Sequence, residues 1–196
     1  MSVISLKTKQ KYGTLLAGNE FFMPSAFESI ATVTVSGSAV SSIDFTSIPN
    51  TYQHLQIRGI AKTSTAGYVK SVRARLNSDS GTNYTSHYLY GDGSSVISAG
   101  PVGTSFMNIA DAGAAGSSAT STFGSFIIDV VDYASTSKYK TIRTFNGMDA
   151  NSGGGEVALN SNLWLSTSAI SSITFILDSA NFAVGTSIAL YGVKGA

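Results

Sequence analysis

The sequence predicts an all-β protein: a two-sheet jelly-roll sandwich over residues 27–196, preceded by an extended N-terminal arm over residues 1–26. Three observations predict it. Short segments of alternating apolar and polar residues recur between Phe27 and Val193, about ten in all, at the regular spacing of a sandwich. Gly, Ser, Thr and Asn turn chemistry separates most of them. The stretch Thr122–Phe145, TFGSFIIDVVDYASTSKYKTIRTF, reads as two strands of one sheet joined by a polar connection too short for a packed helix.

That stretch anchors the rest. Phe126, Ile128 and Val130 fall on one pleat face, and Phe123, Ile127 and Val131 on the other. A strand apolar on both faces is expected to be central and covered above and below. Tyr133–Lys138 connects it to Tyr139–Phe145, where Tyr139, Thr141, Arg143 and Phe145 alternate with Lys140, Ile142 and Thr144.

In chain order, residues 1–26 show neither strand alternation nor a sustained helical period. Lys7, Lys9 and Lys11 precede two apolar clusters, Leu15–Leu16 and Phe21–Phe22–Met23, and Pro24 follows. A solvated tail rarely carries this much apolar surface, so an arm that orders on a partner is expected. Fully extended, such a segment reaches on the order of 80 Å. Ile30–Val35 and Ser41–Phe45, with a Ser/Gly turn between them, are expected to pair as a hairpin. Ser47–Asn50 carries the proline that ends the second strand. His54–Ala61 alternates Leu55 and Ile57 with Gln56 and Arg58. Val69–Asn77 points Val72, Ala74 and Leu76 inward and Arg73 and Arg75 outward. Tyr84–Gly91 sets Tyr84, Ser86, Tyr88 and Tyr90 against Thr85, His87 and Leu89, and Asp92–Gly93 is a turn. One short strand at Thr104–Ala110 and a loop at Asp111–Thr120 are expected in the Ser/Gly/Ala-rich interval 93–121. Gly147–Gly155 is expected to be a flexible loop. Glu156–Leu165, Ile173–Leu177 and Ser187–Val193 complete the strands.

Composition narrows the function classes. The chain of 196 residues suffices for one sizeable core. Charged residues make up only 12% and the net charge is +1, which gives weak attraction for nucleic acid or an anionic membrane, so neither is expected as a partner. The chain has no cysteine, which excludes disulfides and thiolate metal sites. No run is apolar for the roughly 18 residues of a membrane helix. Gly18, Asn19 and Glu20 interrupt Thr14–Met23 and make it a poor signal peptide, so a product made in the cytoplasm is the default.

Candidate chemistry is sparse. His54 and His87 have no paired-histidine spacing, and no G-x-S-x-G elbow occurs. Asp129 is either a sheet-edge charge or half of a buried ion pair, and Asp132, three residues on, falls on the opposite pleat face. Asn77–Asn83 (NSDSGTN) lacks the carboxylate spacing of a calcium loop and reads as a polar turn. Asn83–Tyr84–Thr85 fits the glycosylation pattern, which matters only in a secreted eukaryotic protein. Tyr84, Tyr88 and Tyr90, with His87 interleaved, form either a ligand-binding face or rings half-buried at a sheet or subunit seam. Arg58, Arg73 and Arg75 are candidates to pair with carboxylates across a subunit contact. No catalytic residue, metal or cofactor is expected.

The runs FESIATVTV, SSIDFTSIPNTYQHLQIRG, LNSDSGTNYTSHYLYGDGSS and SIALYGVKGA, together spanning Phe27 to Ala196, resemble the jelly-roll module of head-decoration, capsid-fibre and tail-fibre proteins of tailed bacteriophages. The resemblance implies a non-enzymatic virion component, commonly a homotrimer, anchored by its N-terminal segment with the β domain facing outward. A capsid decoration or cement protein that binds the major capsid protein or another virion protein is the leading expectation. Leu15, Leu16, Phe21, Phe22 and Met23 are the expected anchoring residues. The alternative is a tail-associated module recognising host surface glycan through loops 92–121 and 147–155 and the Tyr84–Tyr90 face.

Overall fold

The computed structural model describes residues 26–66, 69–115, 121–150 and 154–195. The expected anchoring residues Leu15, Leu16, Phe21, Phe22 and Met23 lie outside them. The described residues contain strands and no helix. The strands are β1 (Phe27–Thr34), β2 (Ser42–Phe45), β3 (His54–Ala61), β4 (Val69–Leu76), β5 (Tyr84–Gly91), β6 (Val96–Ala99), β7 (Val102–Thr104), β8 (Met107–Ala115), β9 (Gly124–Val130), β10 (Lys140–Asp149), β11 (Gly155–Trp164), β12 (Ile173–Leu177) and β13 (Ser187–Val193).

Two antiparallel sheets face each other. The large one runs β1-β13-β3-β9-β10-β11-β5-β6, with β7 also paired to β5, and the small one runs β2-β12-β4-β8. The pairings are nested: β1 with β13, β2 with β12, β3 with β9 and β4 with β8. The chain therefore behaves as one long hairpin, rolled so that alternate arms enter opposite sheets, which is the jelly-roll order. The inserted strands β5–β7 and β10–β11 widen one margin of the large sheet.

Period-two alternation builds the core. Ile173, Phe175 and Leu177 of β12, and Val72, Ala74 and Leu76 of β4, face Leu55 and Ile57 of β3, Phe126, Ile128 and Val130 of β9, and Ile188 and Leu190 of β13, all buried. Full burial of each large side chain stabilises the fold by roughly 1.5–3 kcal/mol. Phe175 meets Phe45 edge-on at 6.2 Å and lies tilted against Phe126 at 6.4 Å, which ties three strands together. Phe126 in turn covers Gly59, its cross-strand partner, so closely that a Cβ at Gly59 would collide with the ring.

Four expectations need correction. Ile30–Val35 and Ser41–Phe45 do not form a hairpin, because β1 and β2 belong to different sheets. Val35 N–H donates to Thr186 C=O at 2.8 Å and Val40 bridges Phe182, so both ends of the connection bond to the β12–β13 region rather than to each other. The interval 93–121 holds three strands, β6, β7 and β8, with residues 116–120 outside the described set. Gly147–Asp149 is strand rather than loop and continues β10 in register with Val157, Glu156 and Gly155. Finally, β9 is central but covered on one face only: Ile127 is 42% exposed.

Candidate functional site

The outer face of the large sheet carries the most distinctive chemistry. Antiparallel register lines its outward residues into rows across the strands. One row reads Leu89, Leu159, Phe145, Ile127 and then Arg58, on β5, β11, β10, β9 and β3. The next, toward the Val157 end of β11, reads Gly91, Val157, Gly147, Ser125 and Ile60. The row on the other side reads His87, Ser161, Arg143, Asp129 and Gln56. The apolar row stands out into solvent, with Phe145 and Leu159 each 54% exposed. Beside it, Gly147 and Ser125 leave a trough of about 490 Å³ bounded by Phe145, Ile127, Ile60 and Val157. A shallower depression of about 400 Å³ lies on the other flank, among His87, Leu89, Arg143, Leu159 and Ser161.

The reverse side of these same strands is partly polar. Thr144 and Asn146 of β10, Asn160 and Asn162 of β11, and Ser86 of β5 point inward and are buried. Ser86 Oγ donates to Asn162 Oδ1, Asn146 Nδ2 donates to Asn160 Oδ1 at 3.2 Å, and Asn160 Nδ2 donates to the Asn108 carbonyl of β8 at 3.3 Å. The widened margin thus mixes amides with Ile142, Met148, Ala158 and Trp164 on its inward face, while large apolar side chains face water on the other.

The tyrosine cluster divides. Tyr84 is fully buried and belongs to the core, which corrects its placement on a ligand or subunit face. Its hydroxyl accepts from Leu76 N–H at 3.1 Å and donates to Asp79 C=O at 3.0 Å, and its ring stacks on Trp164 at 6.4 Å. Burial pushes its hydroxyl up to about 12. Tyr88 and Tyr90 share its pleat face, half-buried, with ring centroids 6.2 Å apart. His87 lies on the opposite, outer face against Gly100, so one ligand cannot touch it and the tyrosines together.

The other candidates resolve into structure. His54 Nδ1 accepts from Asp132 N–H at 3.0 Å. Asp132 takes Lys138 Nζ at 2.7 Å, and that bond holds its carboxyl below the usual range. Asp129 accepts from Gln56 Nε2 at 3.0 Å on the exposed face of a central strand, so it is neither an edge charge nor half of a buried ion pair. The arginines bond within the chain: Arg73 to Asp178 at 2.8 Å while lying over the Phe106 ring, Arg75 to the Ser105 carbonyl, and Arg58 to Gln56 Oε1. Asn77–Asn83 is a polar turn built on Asp79, whose carboxylate accepts from Gly81 N–H, Asn83 Nδ2 and Trp164 Nε1. Ser161 stands opposite His87, but Asp129 lies three strands from that histidine, about 14 Å at strand spacing, too far to orient it. Among the described residues no group of three or more His, Asp or Glu could hold a metal ion. Lys140 is buried and donates to the Lys138 and Thr167 carbonyls, and desolvation lowers its ammonium pKa.

Sequence reading placed Phe145, Ile127 and Leu89 on strands but did not identify them as a site, and it did not single out Leu159 or Val157. The available signal was the pair of faces on β10 and β11, where Asn146, Asn160 and Asn162 alternate with Phe145 and Leu159. No family profile, curated protein or solved structure matches the chain.

Proposed function

We propose that the protein is a non-enzymatic structural component of a bacteriophage virion, a capsid decoration or cement protein carried as a homotrimer. Residues 1–26 dock on the major capsid protein or another virion protein, and the jelly roll projects outward. The observation that carries this reading is the joint between arm and body. Ala26 C=O accepts from Lys194 N–H at 3.0 Å, and Glu28 is held by both the Lys194 ammonium and the Tyr52 hydroxyl. Those bonds lower the Glu28 pKa. The first described residues of the body are therefore clamped to Lys194, just past the last strand, as an attachment point for a tether requires. Low charge and an apolar outer face suit a protein packed among others.

Deleting residues 1–25 tests the reading. The remaining domain is expected to stay folded, with unchanged circular dichroism, and to be lost from purified particles. Particle loading at the wild-type level would exclude the arm as the anchor. The quintuple substitution of Leu15, Leu16, Phe21, Phe22 and Met23 by serine is expected to reproduce the deletion.

A further inference from the structure

We infer that the outer face of β9, β10, β11 and β5 is the surface through which copies of this chain associate, with Phe145 and Leu159 of one copy seated in the Ser125–Gly147 trough of the next. The inference rests on the homotrimer reading and names its contact surface.

Apolar exposure opposite buried amides is the first support. Buried Asn146, Asn160 and Asn162 oppose exposed Phe145, Leu159 and Val157 on the same two strands. A sheet margin facing only water gains nothing from apolar side chains on its wet side, whereas one covered by a partner does.

Area is the second. Leu89, Leu159, Phe145, Ile127, Val157 and Ile60 are each 42–54% exposed and contiguous across five strands. Together they present on the order of 500 Å² of apolar surface. A standard interface buries about 800 Å² per partner, somewhat over half of it apolar, so the patch equals the apolar share of one standard contact, divided in a trimer between two smaller ones.

Shape is the third. The ridge and the trough are adjacent rows, offset by two residues along each strand, about 7 Å. Gly147 keeps the trough floor open: a Cβ there would stand 3.2 Å from Glu156 C=O, in a tight backbone contact. Because the ridge lies on one side of the patch and the trough on the other, a copy can give its ridge to one neighbour and its trough to another. That is the heterologous arrangement of a closed ring. The flanking row carries both signs, Arg143 and Asp129, and the net charge of +1 opposes self-association very little.

The test uses the full chain, purified without particles, with mass measured by light scattering at tens of micromolar. Wild type is expected to run as three chains. Phe145→Glu and Leu159→Glu bury an unpaired carboxylate in the contact and are expected to weaken association about a hundredfold or more, giving single chains with unchanged circular dichroism. Phe145→Leu is expected to stay associated. So is Val184→Glu, which places the same charge at a comparably exposed site outside the four strands of the proposed contact. A single-chain wild type would overturn the inference, and so would an oligomer indifferent to both glutamates. Dissociation on deleting residues 1–25 with no effect of Phe145→Glu would assign association to the arm and overturn it too. Failure of the virion reading shows separately, as an oligomer absent from purified particles.

Discussion

Trp164 donates its indole N–H to Asp79 Oδ2 at 2.7 Å, joining the end of β11 to the turn between β4 and β5. The same carboxylate accepts from Gly81 N–H at 2.9 Å and Asn83 Nδ2 at 3.0 Å, so one side chain organises the turn and pins it to the widened sheet. Asp79→Ala is expected to destabilise the fold by about 1–3 kcal/mol, because the indole N–H loses a charged acceptor. Urea unfolding followed by Trp fluorescence checks this.

Tyr84→Phe isolates the hydroxyl beneath that turn. The ring and its stacking on Trp164 remain, but Leu76 N–H and Asp79 C=O lose a buried partner. A loss of about 1–2 kcal/mol is expected in chemical denaturation, with no change in oligomeric mass.

Gly59→Ala tests the close approach of Phe126. The added methyl meets the far end of the Phe126 ring on the neighbouring strand, and Phe126 is itself packed against Phe175. Overpacking of about 1–3 kcal/mol is expected, read as a lowered Tm. Gly59→Ala combined with Phe126→Leu is expected to lose less than the sum of the two single changes.

Acid stability follows from Asp79, Asp132 and Glu28, all with pKa values lowered in the folded protein by hydrogen bonds, from Trp164, Lys138 and Lys194 first in each case. Lowered folded values mean stability that is complete above the unfolded values, near 3.8 for aspartate and 4.5 for glutamate, and lost as pH falls through the folded ones. The Tm is expected to be flat from pH 6 to 5 and to fall below about pH 4. Asp79→Asn is expected to make that fall shallower.

The core was legible where one rule sufficed. Strict alternation in Ile173–Leu177 and Val72–Leu76 sets which side chains turn inward, and the structure buries them. Pairing partners were not legible, because nesting β1 with β13 joins residues far apart in sequence while local turn chemistry at Ser36–Ser41 favours a hairpin that does not form. The two-sided apolar pattern of Phe123–Val131 correctly marks a central strand, yet Ile127 faces water rather than a second layer. Such a pattern records only that a face is apolar. It does not distinguish cover by the chain's own fold from cover by a neighbour. Period two also places Tyr84, Tyr88 and Tyr90 on one face, and does not reveal that Tyr84 lies under the Asp79 turn while the other two are half-buried.

Cryo-electron microscopy of purified particles tests the central claim most directly. Outward-projecting β-sandwich density is expected in groups of three, with the Phe145–Leu159 faces turned toward one another and residues 1–26 descending to the shell. Complete, infectious particles that contain no copy of the chain would contradict it.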